Sequence, residues 1–304
     1  MNADSPLNAM PEYPLNSQET APAAISRTRL LYWSIRRELW ENRSIYVAPL
    51  AVSAVILVGF LTGTFHPRGG HVEHDDALMK PYDFAALALM GAALIVSIFY
   101  CLDALYGERR DRSILFWKSL PVSDLTTVLS KASIPLLILP LITFAITVVT
   151  QLIMLLLSSA VLLGKGQSVA TLSRHVPLFS MSLGLFYHLL AIHALWYAPF
   201  YGWFLLVSAW ARRAPILWAS LPPLAIGIAE KLAFNTSHFA NVLRTRFLGG
   251  PEATSSSPGS GTMDSLKLAT VADFLSSPGL WIGLALFVAF LAAAIRLRRY
   301  REPI

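Results

Sequence analysis

A stretch of charged and aromatic residues lies between two long apolar segments, at residues 103–124, with the sequence DALYGERRDRSILFWKSLPVSD. Its cations can bind phosphate groups or an acidic surface, and they are Arg109, Arg110, Arg112 and Lys118. Apolar residues that a solvated loop does not need accompany them, among them Ile114, Phe116 and Trp117. The mixture predicts a segment that binds lipid headgroups or docks onto a partner protein.

The spacing within this stretch is that of a short helix over residues 108–120. It places two apolar pairs on common sides of the helix, Ile114 with Trp117 and Phe116 with Leu120. Pro121 ends this helix, and Ser123 is placed to cap the next one. At the start, Glu108 is expected to pair with the adjacent arginines or to cap exposed N–H groups. We therefore expect a rigid helix that lies crosswise under a membrane.

A second polar stretch, HPRGGHVEHDD at residues 66–76, gathers imidazole and carboxylate groups, which are ligands for Zn²⁺ or Cu²⁺. The most closely spaced of these residues are His71, Glu73 and His74. Their spacing matches no closed metal site, and hydrated loops are often rich in His and Asp. We expect no metal here, and a site at these three residues is the alternative.

One apolar segment carries polar side chains at helical spacing. His193, Tyr197 and Tyr201 are four residues apart, and Ser208 follows further along the same predicted face. Polar groups in a membrane helix face the protein interior or a water-filled path, because lipid offers them no partner. The row predicts either hydrogen-bonded packing between helices or the lining of a pathway.

Motifs for catalysis are missing from the sequence. It has no G-x-x-x-x-G-K-[ST] phosphate loop and no H-E-x-x-H metal motif, and GKGQS at 164–168 lacks the spaced first glycine. The single Cys101 excludes an internal disulfide and a cysteine-rich metal centre. We therefore expect that this chain is not an enzyme and binds no cofactor itself.

Helices that cross a membrane must position these residues. Of the 304 residues, 55% are hydrophobic and 14% are charged, whereas soluble domains average about 25% charged residues. Six apolar stretches reach the roughly 20 residues that span a bilayer. They are residues 45–63, 84–102, 134–157, 181–210, 215–234 and 279–295. The predicted fold is an all-α membrane protein with six transmembrane helices.

The basic residues gather at the ends of these spans, so the net charge of +6 does not indicate a nucleic-acid partner. With the N-terminus inside, sixteen of the 24 Lys and Arg residues fall on the inner side and eight on the outer side. The positive-inside rule then places both termini and residues 107–131 in the cytoplasm, with 64–83 and 235–278 outside.

The N-terminal region precedes the first span and has two parts. Residues 1–24 lack the basic and apolar regions of a signal peptide, and their Pro, Ala, Asn and Ser content predicts a disordered cytoplasmic tail. Residues 26–43, SRTRLLYWSIRRELWENR, mix apolar and basic groups as an interfacial helix does. An ordinary positive flank is the alternative for this second part.

A resemblance follows from the string GERRDRSILFWKSLPVSDLTTVLSK at 107–131. It resembles the cytoplasmic connection of ABC-2-type exporter permeases, which show an acid, a basic turn, an apolar helix, a Pro-hydrophobic-Ser turn and a Lys. Here these are Glu108, Arg109 to Arg112, Ile114 to Leu120, Pro121 to Ser123 and Lys131. The resemblance covers residues 25–304 as one transmembrane domain with six spans and an N-terminal amphipathic helix.

The resemblance implies an exporter subunit in a bacterial inner membrane. Residues 108–120 would form a coupling helix that fits a groove on a separate ATPase, and ATP and Mg would be bound by that partner. A second permease copy would complete the pathway. The family often has a re-entrant helix pair between spans five and six, for which Glu230 and Lys231 would mark the turn.

Two other functions stay open from the residues alone. An ion-coupled secondary transporter would normally place carboxylates near the membrane midplane, and the six cores are nearly free of Asp and Glu. A membrane anchor or sensor that transports nothing fits every feature except the charged and aromatic stretch.

Overall fold

The computed structural model describes residues 26–65, 76–114, 122–164, 176–248 and 274–300, and all regular structure within these ranges is helical. In chain order the helices are α1 (Arg27–Glu41), α2 (Ser44–Phe65), α3 (Asp76–Ala104), α4 (Tyr106–Arg110), α5 (Asp124–Ser133), α6 (Leu139–Gly164), α7 (Leu178–His188), α8 (Ala198–Trp210), α9 (Pro215–Phe234), α10 (His238–Leu248) and α11 (Pro278–Tyr300). Two π-helical turns, Ile134–Ile138 and Leu189–Trp196, join α5 to α6 and α7 to the region before α8.

Six helical segments are long and apolar enough to cross a membrane, which confirms the predicted number of spans. They are Ser44–Gly63, Lys80–Arg110, Asp124–Gly164, Leu178–Trp196, Pro215–Phe234 and Pro278–Tyr300. The chain is therefore built as a multi-pass membrane protein. The third segment starts ten residues before the predicted residue 134, because α5 continues through the π turn into α6.

Local sequence explains where these helices begin. Ser26 accepts a hydrogen bond from the backbone N–H of Arg29 at the start of α1, at 3.4 Å. At the start of α5, Ser123 accepts one from the N–H of Thr126 at 3.1 Å, as predicted. Each cap satisfies one of the N–H groups that a helix leaves without a partner in its first turn.

The bundle packs around α8 and α11, which lie side by side. Gly202 permits their contact, because a Cβ atom at this position would lie 2.8 Å from the Phe287 ring and 3.3 Å from the Phe287 backbone. The main apolar cluster includes Ile45, Cys101, Ile134, Tyr201 and Leu291, so it joins α2, α3, the first π turn, α8 and α11. This core fixes the helix ends that carry the charged residues.

Helix α9 lies at the edge of the bundle, with most of its apolar side chains exposed. Its contact with α8 includes a hydrogen bond from Trp203 Nε1 to the carbonyl of Ala219, at 3.0 Å. After α9 the chain reverses at Asn235, which adopts the left-handed conformation that commonly ends a helix. The following α10 then packs against α9.

A candidate functional site where four helices meet

Four charged side chains from four helices lie together and are almost fully buried. They are Glu38 of α1, Glu108 of α4, Lys131 of α5 and Arg298 of α11, and none is more than 7% exposed. We call this group, with the adjacent Arg37, Tyr100 and Asp124, the ion network. It lies where α4 follows the second span and α11 ends.

Lys131 and Arg298 connect the carboxylates of the ion network. Lys131 Nζ lies 2.8 Å from Glu38 Oε1 and 3.1 Å from Glu108 Oε1. Arg298 pairs with Glu108 through Nη1 and donates through Nε to Asp124 Oδ1 at 3.0 Å. Glu108 is thus the carboxylate that both buried cations share.

Two further groups complete the ion network. Tyr100 donates its hydroxyl hydrogen to Glu38 Oε2 at 2.9 Å. Arg37 Nη2 lies 3.8 Å from Glu108 Oε1, while its Nε donates to Glu41 at 2.7 Å. Glu108 Oε1 receives no hydrogen bond of good geometry, so its contacts with Lys131 and Arg37 are ionic. The ion network contains three carboxylates and three cations, which reduces the free-energy cost of burying these charges. The carboxylates are Glu38, Glu108 and Asp124, and the cations are Arg37, Lys131 and Arg298.

The chain bends immediately before Glu108, and α8 holds the bend. Leu105 interrupts the helix between α3 and α4, and its N–H and that of Tyr106 both donate to Ser208 Oγ, at 2.9 and 2.8 Å. Arg109 donates to the carbonyls of Ala209, at 2.6 Å, and Ala211. These bonds satisfy backbone groups at the bend in α3–α4 and at the end of α8.

The predicted coupling residues fall into three groups in the structure. Glu108, Arg109 and Ile114 are buried, whereas Arg110 and Arg112 are exposed, with Arg110 Nε 3.0 Å from Asp111 Oδ1. Phe116, Trp117, Lys118 and Pro121 lie outside the described residues. The expected local partners of Glu108 were wrong, because its charge partners come from α1, α5 and α11 rather than from the adjacent arginines.

Glu38, Tyr100 and Arg298 were not predicted from the sequence as members of one site. Glu38 falls within the predicted interfacial helix at residues 26–43, and Arg298 is one of the sixteen basic residues on the predicted inner side. A signal was present in Glu38 and Glu108, two acids within inner segments rich in Lys and Arg. Lys131 is the last residue of the segment 107–131 that carries the family resemblance, but its partners were not predicted.

The structure brings together only part of the polar row in the fourth apolar stretch. His193 is 2% exposed, its Nε2 lies 3.4 Å from Ser97 Oγ, and its ring centroid lies 6.0 Å from that of Tyr201. The Tyr197 ring centroid lies 6.4 Å from that of His193, and the Tyr197 hydroxyl donates to the carbonyl of Phe247 in α10 at 3.1 Å. Ser208 bonds to the bend before α4, away from this group. Pathway lining by these residues stays a prediction.

The three residues of the alternative metal site, His71, Glu73 and His74, lie outside the described residues. Among the residues that are described, no group of three or more His, Cys, Asp and Glu side chains could hold a metal ion.

A groove of about 410 Å³ opens beside the ion network, between the start of α5 and the end of α11. Asp124 and Arg298 line it on the network side, and Ser123, Leu125 and Arg299 are among its other walls. A group that occupied this groove would touch Arg298, which pairs with Glu108, and Asp124, which accepts from Arg298.

The ion network ties α4 to α1, α5 and α11 through buried charges. Comparison of the chain with protein-family models, with curated proteins and with solved structures found no match.

Proposed function

We propose that this chain is the membrane permease subunit of an ATP-binding cassette exporter of the ABC-2 type. It would work as a dimer that forms the translocation path, driven by a separate ATPase subunit. The observation that carries the proposal is the ion network, which anchors both ends of residues 108–124 to the bundle. Glu108 stands at the first end of this segment and Asp124 at the second, and Arg298 binds both.

This geometry suits a lever. A partner that pushes on residues 111–121 would displace Glu108 and Asp124. Because Arg298 is paired with both carboxylates, α11 would move with them. Lys131 would pass it to α5 and, through Glu38, to α1. Buried ion pairs suit this role because one arrangement of charges is strongly preferred over misaligned ones.

Helix α1 supports a position at the membrane surface. Its exposed side carries Tyr32, Trp33 and Trp40, and the Arg36 guanidinium lies over both indole rings, 5.2 Å from Trp33 and 5.4 Å from Trp40. Aromatic rings with a basic group favour the interface between lipid and water. In this proposal α1 lies on the cytoplasmic face of a bacterial inner membrane, with both termini on that side.

The partner's place in the complex follows from the same surface. Arg110 and Arg112 are exposed, and a groove lies beside Asp124, so both ends of the predicted coupling segment offer groups that a partner can reach. In the proposal, Phe116 and Trp117 contact the ATPase, and Arg110, Arg112 and Lys118 meet an acidic rim around its groove. ATP and Mg are then bound by the partner.

Site-specific photo-crosslinking in the native host tests the proposal. A photoreactive amino acid is placed at Arg112, Ser119 or Ser123, and in a control at the exposed Val242 of α10. We expect position 119 to capture a protein that contains a nucleotide-binding phosphate loop, and position 242 to capture none. Failure to capture such an ATPase at all three test positions would contradict the proposal.

Co-purification of the ATPase with this chain provides the second half of the test. Replacing Phe116 and Trp117 together with Ala should reduce co-purification of the ATPase at least tenfold, because these residues would supply the apolar contact. The matched control replaces Tyr32 and Trp33 of α1 with Ala, which removes comparable aromatic area from another surface. A double variant of Phe116 and Trp117 that retains the ATPase at wild-type yield would exclude docking through these residues.

A further inference from the structure

The Arg246 side chain, in the last turn of α10, lies against the fourth and sixth spans. Its guanidinium carbon is 4.1 Å from the centroid of the Trp196 ring. Nη1 donates to the carbonyl of Gly279 at 2.6 Å. A Cβ atom at Gly283 would overlap Nη2 and lie 2.7 Å from the guanidinium carbon. Arg246 therefore occupies a notch in α11 that exists only because Gly283 has no side chain.

Other helices hold both ends of α10, so the position of the Arg246 backbone is fixed. At the C-terminal end, Trp196 Nε1 donates to the carbonyl of Arg246 at 2.9 Å, and the Tyr197 hydroxyl donates to that of Phe247. At the N-terminal end, the Glu230 carboxylate accepts from the N–H groups of His238 and Phe239, at 2.6 and 2.9 Å. Glu230 thus caps a helix that returns along α9.

The depth of Arg246 follows from its neighbours. Trp196 precedes Ser208 by twelve residues, and Gly283 precedes Arg298 by fifteen. At a rise of about 1.5 Å per residue, Trp196 and Gly283 lie roughly 18 and 22 Å along their helices from the level of the ion network. A hydrocarbon core is roughly 30 Å thick, so Arg246 lies within membrane depth, on the side remote from the ion network.

The charge of Arg246 is incompletely compensated in the described part of the chain. There, its Nε and Nη2 are buried without a hydrogen-bond partner. A cation at membrane depth is costly unless it is paired, and such residues commonly mark binding sites. The unused Nε–Nη2 edge is one that binds a carboxylate or phosphate through two parallel hydrogen bonds.

Besides Trp196, aromatic side chains lie around Phe247, the residue after Arg246. The Phe247 ring centroid is 5.6 Å from that of Phe200 and 6.3 Å from that of Tyr197. A ligand that reached the guanidinium would place its apolar part on these rings. The surroundings therefore fit a molecule with an anionic head and an apolar body.

We propose that Arg246 is a binding site for the oxyanion of an amphipathic molecule, such as a phosphate ester that carries acyl chains. The guanidinium leaves the Gly283 notch and binds the oxyanion through Nε and Nη2, while Trp196 and Phe247 contact the apolar part. The site requires no ATPase, so its test is independent of the proposed function.

Native mass spectrometry of the full chain, released from phosphatidylcholine nanodiscs that contain a minor share of phosphatidic acid, tests the site. We expect the wild type to retain phosphatidic acid in preference to phosphatidylcholine. Arg246→Gln should reduce this retention at least tenfold. Arg246→Lys should reduce it less, because lysine keeps the positive charge but cannot make the two parallel hydrogen bonds of a guanidinium. Arg244→Gln is the matched control, since Arg244 is exposed on the same helix, and should stay within twofold of wild type.

Competition with soluble glycerol phosphate distinguishes the source of the ligand. Loss of the lipid adduct on its addition indicates a soluble phosphate ester, whereas persistence indicates a lipid, and both support the site. Equal retention by wild type and Arg246→Gln, or equal losses in Arg246→Gln and Arg244→Gln, would overturn the proposal. So would a wild type that binds no phosphatidic acid until Glu252, Asp264 and Asp273 are replaced by amides, because an internal carboxylate would then be the partner.

Discussion

Lys131 Nζ lies 2.8 Å from Glu38 Oε1, so a buried ion pair joins α5 to α1 across 93 positions of the sequence. Both side chains are almost completely excluded from solvent. The pair makes α1 part of the bundle, although this helix precedes the first span. Four predictions follow from this pair, from its neighbours and from the proposed orientation.

Replacing Lys131 with Met should destabilise the protein by roughly 3 to 5 kcal/mol, because Glu38 and Glu108 would lose their shared cation. The combined change Glu38→Gln with Lys131→Met should cost less than the sum of the two single changes. Thermal unfolding in detergent measures both, with Lys231→Met, at an exposed position of α9, as the control. Strictly additive effects would mean that the two charges do not interact.

Replacing Glu108 tests whether the ion network transmits force. We expect Glu108→Gln to lower ATP-driven transport by the proposed complex, since it keeps an acceptor oxygen but loses the charge that binds Lys131 and Arg298. Glu108→Ala should lower it further. The control is Asp103→Asn, because Asp103 is exposed near the same bend. Transport by Glu108→Ala at the wild-type rate would leave Glu108 with no role in coupling.

Replacing Ser208 with Ala should loosen the bend between α3 and α4. The N–H groups of Leu105 and Tyr106 would lose their acceptor, at a cost of about 1 to 3 kcal/mol. Hydrogen exchange should therefore become faster at these two amides. Ser220→Ala is a suitable control, because Ser220 is exposed and bonds within its own helix. Unchanged exchange at residues 105 and 106 would show that Ser208 does not hold the bend.

Cysteine labelling tests the proposed orientation. In a Cys101→Ser background, an impermeant maleimide applied to intact cells should label a cysteine at position 72 and spare one at position 119. The expectation rests on the excess of Lys and Arg on the inner side. Labelling at 119 without labelling at 72 would reverse the topology.

The sequence predicted the six spans because each depends only on a continuous apolar run of sufficient length. It also predicted the Ser123 cap, whose partner Thr126 is three residues away. The partners of Glu108 could not be predicted in this way, since Arg298 lies 190 positions further along the chain. That contact depends on how α11 packs against the other helices.

The row of His193, Tyr197, Tyr201 and Ser208 shows a second limit. Its prediction assumed one regular helix of 3.6 residues per turn. The π-helical turn Leu189–Trp196 and the break at Tyr197 change the direction of the side chains that follow. The rings of His193, Tyr197 and Tyr201 stay adjacent, whereas Ser208 bonds to the bend before α4.

The notch in α11 has a consequence for how two copies could associate. Gly279 and Gly283 form a G-x-x-x-G pair, a pattern that in many membrane proteins lets two helices cross at close range. In this chain Arg246 fills that space, so a helix from a second copy would find the close-crossing surface already covered. In the proposed dimer, the contact between the two copies would therefore use another side of the bundle, and the exposed apolar side of α9 is available for it.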